Sequence, residues 1–359
     1  MSSTNGHLAV RANVLGLGLI GGSIALALRQ LGFEVGGSDA KDSTVADALA
    51  RGIISHEGLF PDSHITFVAT PVGTVIEQVR LALTHTSGVV TDVGSVKAHV
   101  AREVKDARFV PGHPMAGSEL DGLDGADATM FDGATWVLTP NGASTDESFS
   151  VVAGLVSRFG AEVVALDPER HDDVVAIVSH VPHLTAATLM GLADDRSEEH
   201  LALLRLAAGG FRDMTRIASS RPGIWLDICE QNQESIVRGL DALIAGLQEM
   251  REVVDTKDRG SLFDRLEKAR IARMNLPTGA GPVEALVEVR IPIPDRPGSA
   301  ADVFTLSGEL SVNIYDFEVV HSVEGDRGVM VIVIRSEHAD TFRGGLIARG
   351  FRPAIHPLS

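Results

Sequence analysis

The sequence predicts three consecutive folds: an N-terminal α/β domain with a doubly wound parallel sheet, an all-α domain, and a C-terminal α+β domain of the ferredoxin-like type. Three changes of periodicity indicate this order. Short apolar strands alternate with helical segments over residues 8–168, helical periodicity alone continues over 169–276, and strands return over 284–359. These three ranges are the expected domains.

Charge and cysteine content restrict the kinds of partner that the protein can have. The 359-residue chain has a net charge of −17, which argues against binding to nucleic acid or to an anionic membrane surface. The single cysteine, Cys229, cannot form an internal disulfide, and residues 1–7 lack the basic segment of a signal peptide. The apolar run 14–28 is interrupted by glycines and is too short to span a membrane. We therefore expect a cytoplasmic protein with no nucleic-acid partner and no membrane partner.

A glycine-rich turn follows the first predicted strand and opens the first predicted helix. Gly16, Gly18 and Gly21 form the pattern G-x-G-x-x-G, whose glycines permit a tight turn, close approach of a pyrophosphate, and close packing of helix on strand. The second predicted strand ends at Asp39, where a carboxylate binds the ribose 2′-hydroxyl of a dinucleotide. The pattern predicts a Rossmann-type domain. Asp39 favours NAD over NADP, although Lys41 is close enough to weaken that preference.

Two further strand ends are expected to line the same cleft, because ligands of doubly wound sheets bind outside the carboxyl ends of the strands. The predicted strand 65–70 runs into Pro71, and the predicted strand 89–92 ends at an aspartate. The expected cofactor-binding residues are therefore Gly16, Gly18, Leu19, Ile20, Gly21, Asp39, Thr70, Pro71, Val72 and Asp92.

The middle third of the chain has the pattern of a helical domain that completes its core by dimerising. Residues 170–190 are apolar on most faces of a helix, and Pro182 is expected to kink this helix or to divide it in two. A glycine pair at 209–210 is expected to break the structure, and 224–254 has the periodicity of one long amphipathic helix. Apolar helices with no sheet of their own to cover them predict a homodimer.

The tail has the element order β-α-β-β-α-β, which is typical of a ferredoxin-like module. The predicted strands are 285–291, 312–321, 329–334 and 351–356, and the predicted helices are 299–309 and 339–349. A glycine-rich and proline-rich linker over 277–282 separates this module from the helices.

Five motifs carry a resemblance to a known family. They are GLGLIGGS at 16–23, DVGSVK at 92–97, GHPMAGSE at 112–119, SHVPH at 179–183 and GGFRDMTRI at 209–217. Together they closely resemble the motifs of the prephenate/arogenate dehydrogenases of tyrosine biosynthesis, over residues 10 to about 275. The tail, with IPDRPGS at 293–299, looks like an ACT domain, a regulatory amino-acid-binding module.

The resemblance implies an NAD-dependent oxidative decarboxylation that converts prephenate to 4-hydroxyphenylpyruvate. It implies that His113 is the catalytic histidine and that Ser95 hydrogen-bonds both this histidine and the substrate hydroxyl. A neutral imidazole suits the first role independently, because the hydroxyl proton must be accepted as the carbinol carbon loses hydride. The implied substrate-binding residues are Arg216, whose guanidinium suits a carboxylate, and His183, Ser118 and Trp225. In contrast, His180 is expected to be a core or supporting residue.

In the tail, the resemblance implies a regulatory site. Asp295, Gly298 and Asn313 are placed to bind an amino acid at the start of a helix, and feedback by tyrosine is the hypothesis. The alternative is an ACT module that only aids assembly of the protein.

Three other functions remain as alternatives. Arogenate dehydrogenase, which acts on the amino-acid analogue of prephenate, is the nearest. A non-catalytic sensor of dinucleotide and amino acid requires the loss of His113 or Arg216, and both are present. A β-hydroxyacid-type dehydrogenase requires a lysine where this chain has the motif at 179–183. A metal site built from His180, His183, His171 and Asp172 lacks a full ligand set, so no metal is expected.

Overall fold

The computed structural model describes residues 10–118, 120–194, 209–275, 286–294, 298–321 and 327–357. The chain divides into two compact units, Met1–Gly246 and Leu247–Ser359. Residues 201–208, whose sequence predicts a short helix, and the predicted linker 277–282 lie outside the described residues.

The first unit begins with the predicted doubly wound sheet. Its parallel strands are β1 (Arg11–Leu15), β2 (Glu34–Ser38), β3 (His56–Glu57), β4 (Ile65–Val68) and β5 (Val89–Asp92), and its helices are α1 (Leu19–Gln30), α2 (Asp42–Ala50), α3 (Val75–His85) and α4 (Ala98–Glu103). The strand order is β3-β2-β1-β4-β5, so the order reverses between β1 and β4. A ligand of such a sheet binds at that reversal, beside the turn after β1.

A smaller sheet follows and carries the predicted catalytic histidine. It comprises β6 (Gly112–Pro114), β7 (Thr135–Leu138) and β8 (Glu162–Ala165), with α5 (Asp146–Arg158) between β7 and β8. From the sequence, residues near 109 are expected to form a short strand, with His113 in the loop after it. In the structure Phe109 makes only a single bridge to Val90, and His113 lies within β6, opposite Val137. The pairing with β7 was not visible locally, because it joins residues far apart in the chain.

The rest of the first unit is helical, as predicted, but two of the predicted breaks differ. Its helices are α6 (Pro168–Val175), α7 (Val181–Asp194), α8 (Gly209–Thr215) and α9 (Pro222–Gln231), and α10 (Gln233–Asp255) extends beyond it. Pro182 does not separate two helices, because a five-residue π-turn, Ala176–His180, joins α6 to α7 without interruption. The glycine pair at 209–210 begins α8 instead of breaking the structure.

The predicted single helix over 224–254 is two helices, α9 and α10, that meet at Asn232. The buried side chain of Asn232 is the reason. Its amide nitrogen donates to the carbonyl oxygen of Asp172 at 2.9 Å and contacts the Nδ1 atom of His180 at 3.2 Å. The backbone of this residue is non-helical, with φ −113° and ψ 30°.

The helix from Pro168 to Asp194 is long and apolar enough to cross a membrane by length and composition alone, and it is the one such helix among the described residues. Its interior-facing side chains argue for a core helix instead. His171, Asp172 and His180 are all buried, and each of them makes hydrogen bonds to other parts of the first unit.

The second unit contains the predicted ferredoxin-like module. After α11 (Arg259–Met274) its elements are β9 (Leu286–Pro294), α12 (Ser299–Glu309), β10 (Asp316–His321), β11 (Arg327–Arg335), α13 (Ala339–Ala348) and β12 (Ala354–Pro357). All pairs are antiparallel and the strand order is β10-β11-β9-β12. Alternate residues of β9, Val289, Ile291 and Ile293, form a core with the two helices.

Candidate active site

The turn between β1 and α1 is shaped as the glycine pattern predicts. Gly16 has φ +87°, a conformation that disfavours any side chain, and an added Cβ atom would lie 2.5 Å from the carbonyl oxygen of Ala69. An added Cβ atom at Gly21 would lie 1.8 Å from the carbonyl oxygen of Gly16. Gly18 differs, because nothing lies within 4 Å of its Cβ position. The outer side of the turn is therefore open to a ligand at Gly18.

Asp39 stands beside this turn at the end of β2. One carboxylate oxygen accepts a hydrogen bond from the backbone N–H of Leu17 at 2.9 Å, and the other accepts from the backbone N–H of Lys41 at 3.0 Å. These bonds hold the carboxylate next to the glycine turn, where a ribose hydroxyl of a bound dinucleotide would lie.

The neighbouring strand end also fits a polar ligand. The Oγ1 atom of Thr70 is buried and has no hydrogen-bond partner, which is unusual for a buried hydroxyl. Pro71 is exposed, and Val72 begins a short 3-10 turn, Val72–Thr74, with its own side chain buried. The free hydroxyl, the open turn at Gly18 and the carboxylate of Asp39 together fit a dinucleotide. Leu19 and Ile20 are the half-buried first residues of α1.

Asp92 requires a correction, because its carboxylate does not face the cleft. The side chain is fully buried and paired with Lys97, which is also fully buried. Its two oxygens also accept from the backbone N–H groups of Gly94 at 2.9 Å and Gly112 at 3.3 Å, and Lys97 donates to the carbonyl oxygen of Gly112 at 2.8 Å. The pair therefore anchors the backbone beside His113. Burial lowers the pKa of Lys97, although Asp92 opposes this effect.

His113 and Ser95 line one cavity, of about 340 Å³, in the first unit. The other lining residues include Ser179, His180, Trp225 and Ile228, so the wall opposite the sheet comes from the π-turn and from α9. The structure thus brings the two predicted catalytic residues together. His113 is 8% exposed, and burial lowers its pKa well below the usual value, with His171, Lys97 and His180 adding to the effect. The ring is therefore neutral at pH 7.

Two buried residues on α6 support this histidine, although from the sequence they were candidates only for a metal site. The Nδ1 atom of His113 is 2.9 Å from the Nε2 atom of His171, and the Nδ1 atom of His171 is 2.8 Å from Oδ1 of Asp172. Asp172 also accepts from the backbone N–H groups of Lys97 at 2.8 Å and Ala98 at 2.9 Å, at the start of α4. Adjacent His and Asp at the start of an apolar helix were the available signal.

The positions of the two histidines of the SHVPH motif do not match the roles that were predicted for them. His180, expected to be a supporting residue, lines the cavity. In contrast, the ring of His183 is stacked on Trp225, with 3.6 Å between ring centres and 7° between ring planes. Burial lowers the pKa of His180 to about 4 and also lowers the pKa of His183, so both rings are neutral at pH 7. Because Asn232 donates to Nδ1 of His180, the Nε2 atom of His180 carries its proton.

Comparison with known proteins identifies the family. Residues 24–165 match the nucleotide-binding domain of prephenate dehydrogenase, and residues 167–268 match its dimerization domain. The prephenate dehydrogenase of Bacillus subtilis (strain 168) is 33% identical to this chain over 343 residues, which cover 90% of this chain and 91% of that protein. The chain belongs to the prephenate dehydrogenase family.

Members of the family with different named substrates resemble this oxidoreductase to similar extents. The cyclohexadienyl dehydrogenase of Zymomonas mobilis is 30% identical over 76% of this chain and 96% of its own length. The A. aeolicus prephenate dehydrogenase, solved with hydroxyphenyl propionate and NAD⁺, matches with a TM-score of 0.70 and 28% identity over 75% of this chain and 98% of its own. The Synechocystis arogenate dehydrogenase matches with a TM-score of 0.65 and 27% identity over 74% and 99%.

Besides His183, two of the substrate-binding residues that the family resemblance implies do not line this cavity. Arg216 is exposed and begins a 3-10 turn, Arg216–Ser219, that packs against α7. Ser118 is exposed, and its hydroxyl accepts a hydrogen bond from the backbone N–H of Leu120. Trp225 does line the cavity and donates from its ring nitrogen to the hydroxyl of Ser220 at 3.0 Å.

The regulatory residues expected from the family resemblance lie in the second unit. Gly298 has φ +92° and immediately precedes α12, and the hydroxyl of Ser299, the first residue of α12, is buried without a partner. Asn313 is exposed and hydrogen-bonds the hydroxyl of Tyr315. Asp295 lies outside the described residues. Within the described ranges no group of three or more His, Cys, Asp or Glu side chains is arranged to hold a metal ion.

Proposed function

We propose that the protein catalyses the NAD-dependent oxidative decarboxylation of prephenate to 4-hydroxyphenylpyruvate. The observation that carries this proposal is the position of His113 and Ser95 on one cavity, in a chain of the prephenate dehydrogenase family. The relatives named for prephenate and the solved relative that holds NAD⁺ support the choice of substrate and cofactor.

Bound NAD⁺ would supply the hydride acceptor, held by the turn at Gly18, by Asp39 and by the hydroxyl of Thr70. The burial of His113 keeps its imidazole neutral, so its free ring nitrogen accepts the proton of the substrate's ring hydroxyl as the carbinol carbon loses hydride. Ser95 orients this hydroxyl. The ring carboxylate leaves as CO₂, and the electrons of its bond complete the aromatic ring. The proton then returns from His113 to the phenolic oxygen, so no net proton is released.

Carboxylate recognition is assigned to the cationic and polar groups of the helical region. Arg216 is proposed to bind a substrate carboxylate through its guanidinium fork. His180 has a protonated Nε2 atom and lines the cavity, so it provides a neutral donor for a second polar group of the substrate. His183 supports the wall of the cavity through its stack on Trp225.

We also infer a homodimer that works in the cytoplasm and is inhibited by tyrosine through the tail. The dimer is supported by the match to the dimerization domain and by the exposed apolar side chains Leu226, Ile244 and Leu247. Tyrosine binding is supported by the open helix start at Gly298 and the unpartnered hydroxyl of Ser299. The alignment with the B. subtilis enzyme leaves out only about a tenth of this chain. The tail is longer than that, so the alignment includes part of the tail.

The deciding experiment follows absorbance of the reduced nicotinamide, with prephenate or arogenate and with NAD⁺ or NADP⁺. We expect reduction with prephenate and NAD⁺, and a lower rate when tyrosine is added. Reduction with arogenate alone would replace the substrate and keep the mechanism. No reduction in any mixture, from protein shown to be folded by its circular dichroism, would refute the proposal. For the tail, Asn313→Ala should weaken inhibition by tyrosine without changing the uninhibited rate.

A further inference from the structure

We propose that His171 and Asp172 act as positioning residues that fix the tautomer and the orientation of the His113 ring. This inference rests on the proposed function, in which His113 is the base. It concerns residues that do not line the cavity and act only through His113. Both are almost completely buried, with His171 at 0% and Asp172 at 3% exposure.

The direction of the hydrogen bonds follows from Asp172. Its carboxylate accepts from two backbone N–H groups, those of Lys97 and Ala98, and an ionised carboxylate can only accept. The Nδ1 atom of His171, 2.8 Å from Oδ1 of Asp172, must therefore carry a proton. In the neutral ring the Nε2 atom of His171 is then an acceptor.

The same reasoning extends to His113. Its Nδ1 atom, 2.9 Å from the acceptor Nε2 of His171, carries the proton of the neutral ring. The Nε2 atom of His113 is left with its lone pair, which is the form that a base needs. The rings of His113 and His171 lie nearly edge to face, with 71° between their planes, so this bond also fixes how the His113 ring is turned.

The backbone of His113 is fixed independently of its side chain. The buried pair of Asp92 and Lys97 binds both the N–H and the carbonyl of Gly112, the residue before His113. The carboxylate of Asp172 in turn holds the start of α4, immediately after Lys97. The backbone beside His113 is thus held by Asp92 and Lys97, and its ring is held by His171. Asp172 bonds to both of these groups, through Lys97 and through His171, whereas His171 belongs only to the second.

The test replaces His171 by Leu, which removes the acceptor, and by Gln. The side-chain oxygen of Gln can accept a hydrogen bond at about the same distance from the backbone as the Nε2 atom of His. In His171→Leu we expect kcat to fall by about tenfold or more, because the wrong tautomer disables a histidine base, while the dissociation constant for NAD⁺ stays within about twofold. His171→Gln should recover part of the lost kcat. Asp167→Ala is the matched control, since the side chain of Asp167 caps the same helix through Glu169 and Arg170. Its only bond to His171 is through the backbone carbonyl, which the alanine variant keeps.

Nitrogen-15 NMR of the histidine rings shows which ring nitrogen of His113 carries the proton. This position would not change if His171 only stabilised the fold. With the His113 signal assigned by its loss in His113→Asn, the wild-type protein and Asp167→Ala should show the proton on Nδ1, and His171→Leu should show it on Nε2 or on both nitrogens. Unchanged kcat in His171→Leu, or an unchanged tautomer, would overturn the inference. Failure of the proposed function is distinguishable, because a wild-type enzyme inactive on every substrate still reports the tautomer.

Discussion

A Cβ atom placed on Gly21 would lie 1.8 Å from the carbonyl oxygen of Gly16. The same atom on Gly18, which lies between them in the sequence, would have no atom of a more distant residue within 4 Å. The two outer glycines of the motif are therefore required by the fold, because any side chain there displaces backbone. The middle glycine is required only if a ligand occupies the open space beside it.

This contrast predicts opposite behaviour for two alanine variants. Gly18→Ala should keep the unfolding midpoint of the wild type and raise the dissociation constant for NAD⁺ by about tenfold or more, since the methyl group occupies the side that a pyrophosphate approaches. Gly21→Ala should lose about 3 kcal/mol or more of unfolding free energy. Thermal unfolding and fluorescence titration with NAD⁺ measure both effects. Unimpaired NAD⁺ binding by Gly18→Ala would contradict the site.

Replacement of Asp39 should change the choice of cofactor. Asp39→Asn removes the charge that repels a 2′-phosphate, so we expect KM for NAD⁺ to rise and the ratio of kcat/KM for NADP⁺ over NAD⁺ to increase by about tenfold. Asp42→Asn, at the exposed start of α2, is the charge-matched control and should leave this ratio unchanged. An unaltered ratio in Asp39→Asn would remove its proposed contact with the ribose.

His113→Asn should cut kcat by roughly 100-fold or more, while NAD⁺ binding stays nearly intact. Because burial lowers the pKa of His113 well below 6.5, the base of the wild-type enzyme stays neutral as the pH falls through 6.5. The acid limb of the kcat/KM profile should therefore lie below that pH. His85→Asn, an exposed histidine at the end of α3, serves as the control. Near-normal turnover by His113→Asn would refute its catalytic role.

Arg216→Ala should mainly raise KM for the substrate, by about tenfold or more, because a charge-assisted bidentate bond to a carboxylate is lost. Arg158→Ala, at the exposed end of α5, removes the same charge away from the cavity and should leave KM unchanged. Initial-rate kinetics with varied prephenate separate KM from kcat. Equal KM values for the two variants would exclude Arg216 from substrate binding.

His180 should make the protein less stable in acid. Its pKa in the folded state is about 4, compared with 6.5 for an ordinary histidine, because burial outweighs the attraction of Asp172 and His171 adds repulsion. Between pH 6.5 and about 4, His180 is thus protonated in the unfolded chain and neutral in the folded chain. The free energy of unfolding therefore decreases as the pH falls through this range. The loss approaches about 1.4 kcal/mol per pH unit. Urea unfolding at several pH values should show a shallower dependence in His180→Asn. An identical dependence in the two proteins would show that His180 does not titrate in this way.

Local patterns were sufficient for four of the five strands of the doubly wound sheet, and the two-residue strand β3 was not predicted. Short apolar strands, the glycine turn and Asp39 are adjacent features of the chain, and each was predicted in the position that the structure gives it. The alternation of β9 similarly predicted the ferredoxin-like order of the tail. Helix boundaries were predicted less accurately. The buried side chain of Asn232 hydrogen-bonds Asp172 and His180, and these partners are distant in the sequence.

The same distinction between local patterns and distant contacts applies to the candidate active site. The sequence by itself determined the candidate residues: the spacing of the glycines and Asp39 predicts a dinucleotide site, and the family resemblance implies the roles of His113 and Ser95. Only the tertiary structure decided which side chains face the cavity and which support it. It buried Asp92 against Lys97, brought His180 to the cavity wall in place of His183, and set His171 behind His113. The physical reason is that burial and hydrogen bonding are properties of packed neighbours, and those neighbours are distant in the chain, as are Lys97 and Asp172, which are 75 residues apart.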